Sequence, residues 1–180
     1  MSTWTIVLRD PAPVRHPGLV QIRRVDEDEW RLVADVRLRA LQEDPEVFGS
    51  SAERELRFTE RHWRMRLRSS ATWVAVDDDG VGRGTVTMIL EPGSPEDDRH
   101  VVGLWVAPEA RRQGVGWALL DAVRAAARSE GARTVSLWVV DDNHAAGDLY
   151  VRAGFTRTGE RHALQRDPER TEERLVLEVG

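Results

Sequence analysis

Leu104-Trp105-Val106-Ala107-Pro108-Glu109-Ala110-Arg111-Arg112-Gln113-Gly114-Val115-Gly116-Trp117 is the stretch on which the reading of this chain turns. It opens as an apolar run that reads as a strand, and it turns at Pro108. Arg111 to Gly116 then lead into an apolar periodic segment that reads as a helix. A strand, a glycine-bearing turn and a helix start make a phosphate cradle. The glycines let the backbone come close to a ligand, and the unpaired N–H groups of the first helical turn point at it. The helix dipole adds a partial positive charge. A pyrophosphate-bearing cofactor is expected at this turn.

Working outward, the apolar positions Leu119, Leu120, Val123 and Ala127 share one helical face, and Gly131 closes that helix. Upstream, Val20–Val25 alternates as a first strand, and Asp26 and Glu29 form a capping-box start for a helix that Pro45 ends. Leu56, Trp63 and Leu67 predict a second helix to about Ser69, with a restart at Thr59 as an option. Thr72–Val76 and Thr85–Leu90 flank the Asp77–Gly80 turn as a hairpin. Val101–Val106 is the next strand. Thr134–Val140, a short helix from Asn143 to Ala153, a strand from Phe155 and a last strand at Leu175–Val179 complete the order. The pattern β-α-α-β-β-β-α-β-α-β-β predicts a single α/β domain over residues 19–180, preceded by an irregular proline-bearing arm over 1–18.

Composition narrows the chemistry. The chain has no cysteine, so disulfides, thiolate metal sites and a cysteine nucleophile are excluded. Its 26 basic residues are all arginine, which removes Schiff-base and Walker-type lysine chemistry. The net charge of −5 argues against nucleic-acid binding. No apolar run approaches membrane-spanning length and no leader pattern is legible, so a cytoplasmic protein without a membrane partner is expected. No pair among His16, His62, His100, His144 and His162 has metal-ligand spacing, and no metal is expected.

A second informative stretch is Asn143-His144-Ala145-Ala146-Gly147-Asp148-Leu149-Tyr150, running on to Gly154-Phe155. Asn143 and Tyr150 are the sole asparagine and the sole tyrosine of the chain. Asn143 sits at a helix N-cap and Tyr150 two turns on, so both lie near one side of the helix. An amide and a phenol on that side are placed to meet a ligand, should one lie between this helix and the glycine turn.

Together the two motifs resemble those of the GNAT superfamily of N-acetyltransferases. Arg111-x-x-Gly114-x-Gly116 is similar to its acetyl-CoA pyrophosphate motif. Asn143-x-x-Ala146-x-x-Leu149-Tyr150-x-x-x-Gly154-Phe155 is similar to its second motif, and the element order agrees. The resemblance implies a mixed, mostly antiparallel sheet with a splay between its fourth and fifth strands. It implies that backbone N–H groups of Arg112, Gln113, Gly114, Val115, Gly116 and Trp117 cradle the CoA pyrophosphate, with the Arg111 and Arg112 side chains paired to phosphate or simply solvated. Leu104, Trp105 and Val106 would lie on the splayed strand that pairs with the pantetheine arm. Asn143 and Ala146 would meet that arm too, and Tyr150 would be the general acid for the departing thiolate. The implied reaction is direct attack by a primary amine of a small molecule, an antibiotic or a peptide on acetyl-CoA. Its rival is a silent acetyl-CoA-binding regulatory module. The family allows a homodimer.

The base is the open question. His100, at the start of the fourth strand, is the first candidate, and Glu91, at the end of the preceding strand, is the alternative. The plainer reading of His100 is an exposed strand-end histidine. Trp30, Trp63 and Trp138 are expected in the core. Asp44, Glu46, Phe48, Glu53 and Glu55 border the implied acceptor side.

Overall fold

A computed structural model describes residues 14–15, 20–164 and 167–180. Seven strands are numbered here: β1 (Val20–Val25), β2 (Ala71–Asp77), β3 (Gly82–Ile89), β4 (Asp98–Val106), β5 (Thr134–Val140), β6 (Thr156–Leu164) and β7 (Asp167–Glu178). The helices are α1 (Trp30–Glu43), α2 (Ala52–Glu55), α3 (Glu60–Arg68), α4 (Val115–Ser129) and α5 (His144–Arg152). The strands form one sheet in the order β1-β2-β3-β4-β5-β7-β6, extended at the β1 edge by the two-residue strand Val14–Arg15. That short strand is the described part of the expected arm; the remainder of residues 1–18 lies outside the described residues. Every adjacent pair is antiparallel except β4 and β5, which run parallel.

Local chemistry explains most element ends. Asp26 Oδ1 accepts the N–H of Asp28 at 2.8 Å, and Glu29 reaches back to the N–H of Asp26, so the expected capping box forms on a short 3₁₀ turn that feeds α1. Gly131 and Gly154 stop α4 and α5 with φ of +75° and +95°, a region glycine enters without steric cost. The stretch read as one second helix is two pieces, α2 and α3. The chain restarts at Thr59, whose N–H is accepted by His62 Nδ1 at 3.1 Å.

A register shift between Ala75 and Val76 places Gly82 and Gly84 on opposite faces of the sheet. A Cβ at Gly82 would meet Val36 Cγ2 of α1 at 2.0 Å; one at Gly84 would meet Leu119 Cδ1 of α4 at 3.2 Å. The two helices therefore cover the two faces, and β2 between them is buried along nearly its whole length. On α4 the expected face, Leu119, Leu120, Val123 and Ala127, is fully in the core. Trp63 is in the core as expected, but Trp30 and Trp138 are only half-buried. Trp138 stands in an open cleft rather than in packed interior.

Glu55 ties α2 to α1 and α3. Its fully buried carboxylate accepts from Arg37 Nη2 at 3.0 Å and from Arg66 Nη1 at 2.9 Å. Burial opposes its ionisation, but Arg37 and then Arg66 outweigh burial and bring the carboxyl from 4.5 down to about 2. A depressed folded-state pKa means that this stabilisation is complete above pH 4.5 and is lost as pH falls toward about 2. Glu55→Ala is expected to lower unfolding stability by about 3 kcal/mol near neutrality, because it strands two charges beside the core. Urea unfolding at a series of acid pH values checks this: the gap between variant and wild type should close as pH falls through that window, and a constant gap would contradict the assignment.

Candidate active site

Strands β4 and β5 pair in register from Asp98–Thr134 to Val101–Leu137 and then part. Beyond that point β4 continues to Val106 and β5 to Val140 without each other, which is the expected splay between the fourth and fifth strands. On its other side β4 carries a bulge. Thr87 and Thr85 of β3 face Val102 and Trp105, so three steps on β4 span two on β3. The surplus falls at Gly103–Leu104, where Gly103 has φ +66°. That backbone angle favours glycine, and it turns the strand away from a regular ladder with β5. An isolated glycine inside an apolar strand is a signal for such a bulge.

The splay opens into a cleft of about 730 Å³. Val101, Val102, Gly103 and Leu104 line one wall; Val139, Val140, Asn143, Ala146 and Tyr150 line the other. Trp105 and Val106 do not contribute to these walls. The Trp105 ring is buried and donates its Nε1–H to Asp44 at 2.7 Å. Asn143 caps α5 by accepting the Ala146 N–H at 3.2 Å on its Oδ1. A side-chain amide that accepts on its oxygen keeps its two N–H donors for another partner. The Tyr150 ring is buried edge-on against Phe155, and burial pushes its phenol above the ordinary value. It stays a protonated donor throughout the neutral range.

The glycine turn follows β4, at the start of α4. Ala118 is the first residue of the helix to donate to a carbonyl of this turn, that of Gly114 at 3.0 Å. The N–H groups of Val115, Gly116 and Trp117 therefore have no partner within the helix. Gly114 is the N-cap with φ +84°, so no side chain occupies the capping position. Arg112, at φ +62°, holds a conformation that costs a side-chain-bearing residue about 1 kcal/mol, the kind of strain kept at ligand-binding turns. A Cβ at Gly116 would sit 3.0 Å from Leu149 Cδ2, so this glycine lets α4 approach α5 closely.

The turn is fixed from outside. Glu109 accepts from Arg39 of α1 and Arg83 of β3, and the Arg39 hydrogen bond leads in holding its carboxyl at about 2. Gln113 Nε2 donates to the Glu109 carbonyl at 2.7 Å. Arg111 turns inward, donating to the Val106 carbonyl at 2.9 Å and to Asp44 at 2.5 Å. Arg111 is thus engaged with protein, while the Arg112 side chain is exposed beside the backbone N–H groups of the turn. The exposed Trp117 lines a small surface recess with Ala153 and Phe155.

At the other end of the cleft stand both base candidates. His100 is 3% exposed, which corrects the reading of an exposed strand-end histidine: the parallel pairing with β5 covers it. Burial lowers its pKa below 6.5, against the opposing pull of Glu91 and Asp98. Its Nε2 lies 3.5 Å from Glu91 Oε1. Asp141 and Asp142 at the mouth of β5 are held by Arg161 and Arg170. Of the acidic residues expected to border an acceptor, Glu53 pairs on the surface with Arg57 and Glu55 is sealed beneath Arg37 and Arg66. Phe48 does line the cleft, under the Arg37 guanidinium at 4.6 Å.

Arg37, Glu172 and His162 also line the cleft and had no site role in the sequence reading. Arg37 reaches the bulge, its Nη1 3.6 Å from a Cβ built at Gly103. Glu172 of β7 is buried enough to raise its carboxyl, with His162 and Glu91 as nearby charges. His162 lies against Trp138 with ring centroids 4.0 Å apart and the rings tilted by 53°. Nothing local marks these positions, because each comes from a strand or helix distant in sequence. Among the described residues no group of three histidines or carboxylates is placed to hold a metal, and no helix is long and apolar enough to cross a membrane.

Known proteins share this fold. The profile described as the acetyltransferase (GNAT) family matches residues 36–155. Mycothiol acetyltransferase of Geodermatophilus obscurus is 36% identical over 162 residues, covering 82% of this chain and 48% of that protein. Aminoglycoside N(6')-acetyltransferase type 1 of Klebsiella aerogenes is 32% identical over 97 residues, covering 52% of this chain and 64% of that protein. The chain spans about half the length of the mycothiol acetyltransferases that it matches over 82% of its own length. An acetyltransferase of the GNAT family from Streptococcus pneumoniae superposes with a TM-score of 0.75 at 18% identity, covering 89% of this chain and 99% of that one. Profile, relatives and fold agree: the chain belongs to the GNAT family of acetyltransferases.

Proposed function

We propose that this chain transfers acetyl from acetyl-CoA to a primary amine. The observation that carries the reading is the splayed β4–β5 cleft, with the Tyr150 phenol and the Asn143 amide on one wall and the Gly103 bulge on the other. The residues fit acetyl-CoA. The α4 N-terminus offers unpaired N–H groups and no acidic side chain in its first turn, which suits a pyrophosphate. The unpaired edge of β4 offers backbone partners for the amide-bearing pantetheine arm. Asn143 and the Ala146 region border that arm.

The chemistry then follows in order. The neutral amine attacks the thioester carbonyl. A backbone N–H near the Gly103–Leu104 bulge meets the developing oxyanion. The C–S bond breaks, and Tyr150 supplies the proton that the departing thiolate takes. Before attack the acceptor ammonium gives a proton to His100, with Glu91 beside it as the alternative. The walls beyond the bulge carry Arg37, Arg66, Glu91 and Glu172, which favours a polar amine over an apolar one. The relatives named for mycothiol and aminoglycoside acetylation point the same way.

Thiol release from acetyl-CoA should appear with one member of a panel holding a cysteinyl glycoside, an aminoglycoside, a polyamine and a peptide with a free N-terminus. Coenzyme A binding by calorimetry without release on any of these would favour a silent binding module; no binding would sink both readings. Tyr150→Phe is expected to lower kcat by about 100-fold with little change in acetyl-CoA affinity. Gly114→Ala, which forces a side chain to positive φ at the cradle, is expected to do the reverse, raising the acetyl-CoA KM more than it lowers kcat. Because burial lowers the His100 pKa, the imidazole is already neutral at pH 7, so kcat/KM should stay flat there and fall only below pH 6.5. An acid limb centred above that value would exclude His100 as the base.

A further inference from the structure

The imidazole of His100 is gripped from behind. Its Nδ1 lies 2.9 Å from Ser136 Oγ, on the residue that faces it across the parallel β4–β5 register. Ser136 is fully buried, and its Oγ lies 2.6 Å from Asp98 Oδ2. Asp98, 3% exposed, also accepts the Thr134 hydroxyl at 2.7 Å and Arg174 Nη2 at 3.2 Å. The same Arg174 nitrogen stands 3.3 Å from Ser136 Oγ.

The proton positions follow from counting donors. A serine hydroxyl owns one hydrogen, and a carboxylate owns none. The short contact to a charged acceptor takes that hydrogen, so Ser136 donates to Asp98. Ser136 then has only lone pairs to offer, and Arg174 points a donor at one of them. The Nδ1 contact at 2.9 Å is a hydrogen bond only if Nδ1 carries the hydrogen. The other ring nitrogen, Nε2, is left bare, and it lies on the Glu91 side of the cleft.

We infer that Asp98 and Ser136 are positioning residues for the transfer reaction, holding His100 in its Nδ1–H tautomer so that Nε2 receives the proton of the acceptor ammonium. This rests on the reading of His100 as the base. In the step the ammonium N–H bond breaks and an Nε2–H bond forms. The ring becomes an imidazolium whose Nδ1–H still points through Ser136 at the Asp98 carboxylate. Asp98 gains no proton; it stabilises the positive ring by charge, and the proton later leaves from Nε2 through the cleft. The groups that bear on this ring come from every neighbouring element: Asp98 of β4, Glu91 after β3, and Arg174 of β7, with Glu172 and His162 further along the same wall. His162 has no such backing. Its Nδ1 contacts are its neighbour's carbonyl and Glu172, and its ring is half-exposed at the sheet edge.

Two measurements test this. Nitrogen-15 NMR of histidine-labelled wild-type protein above pH 7 should show one buried histidine as the Nδ1–H tautomer, its signals lost in His100→Ala. An Nε2–H tautomer for His100 would overturn the inference. In Asp98→Asn the amide donates to Ser136 and turns its hydroxyl toward Nδ1, which forces the hydrogen onto Nε2. With acetyl-CoA and the fastest-acetylated amine of the panel, this variant should lose about 100-fold in kcat with an unchanged acetyl-CoA KM, and its NMR tautomer should switch. Ser136→Ala, which frees the ring without forcing the wrong tautomer, should lose about 10-fold. Wild-type kcat and pH profile in Asp98→Asn would overturn the positioning role alone. Full turnover in His100→Ala would overturn the base assignment itself and the positioning role with it.

Discussion

Two parallel strands that stop pairing govern this structure. A strand edge exposes N–H and C=O groups that must find partners. From Val101 and Leu137 onward, β4 and β5 give up each other as partners, and no other strand of the sheet replaces them. The bulge at Gly103 and its positive φ turn β4 off the common register. Both strands then run directly into helices, β4 through the glycine turn into α4 and β5 through Asn143 into α5. The opening is therefore bordered by unpaired backbone of β4 and by the capped N-terminal end of α5, with Asn143 and Ala146 in its wall.

The surroundings keep the opening from collapsing. Arginine forks hold most of the frame: Arg39 and Arg83 grip Glu109 at the turn, Arg111 joins Asp44 to the Val106 carbonyl, and Arg37 and Arg66 share Glu55. A guanidinium binds a carboxylate in a fixed planar geometry that lysine cannot reproduce. In a chain without lysine the frame is correspondingly rigid, and its donors are already committed.

Much of the fold was legible because its signals are local. The capping pair Asp26 and Glu29, the glycines that end α4 and α5, and the apolar face of α4 each act within a few residues. The two motifs placed Tyr150, Asn143 and the glycine turn near a common ligand, and the cleft does bring Tyr150, Asn143, Ala146 and Leu104 together. The break between α2 and α3 was only half legible, since Thr59 can cap a helix or lie within one. Trp138 was misplaced in the core because an apolar strand residue looks the same whether it meets packed side chains or an open wall.

What the sequence determined by itself is the order of most elements, the glycine turn before α4 and the placing of Asn143 and Tyr150 on one helix, because helix caps, periodicity and positive-φ positions depend on neighbours along the chain. Only the tertiary structure decided the environment of His100. Its burial, its hydrogen bond to Ser136 and the approach of Arg174 join residues 36 and more positions apart, through a parallel pairing that no local pattern specifies. The same holds for Arg37 beside Gly103 and for Glu172 beside Glu91. The charge state of a buried group is set by what packs against it, and that is a property of the folded chain.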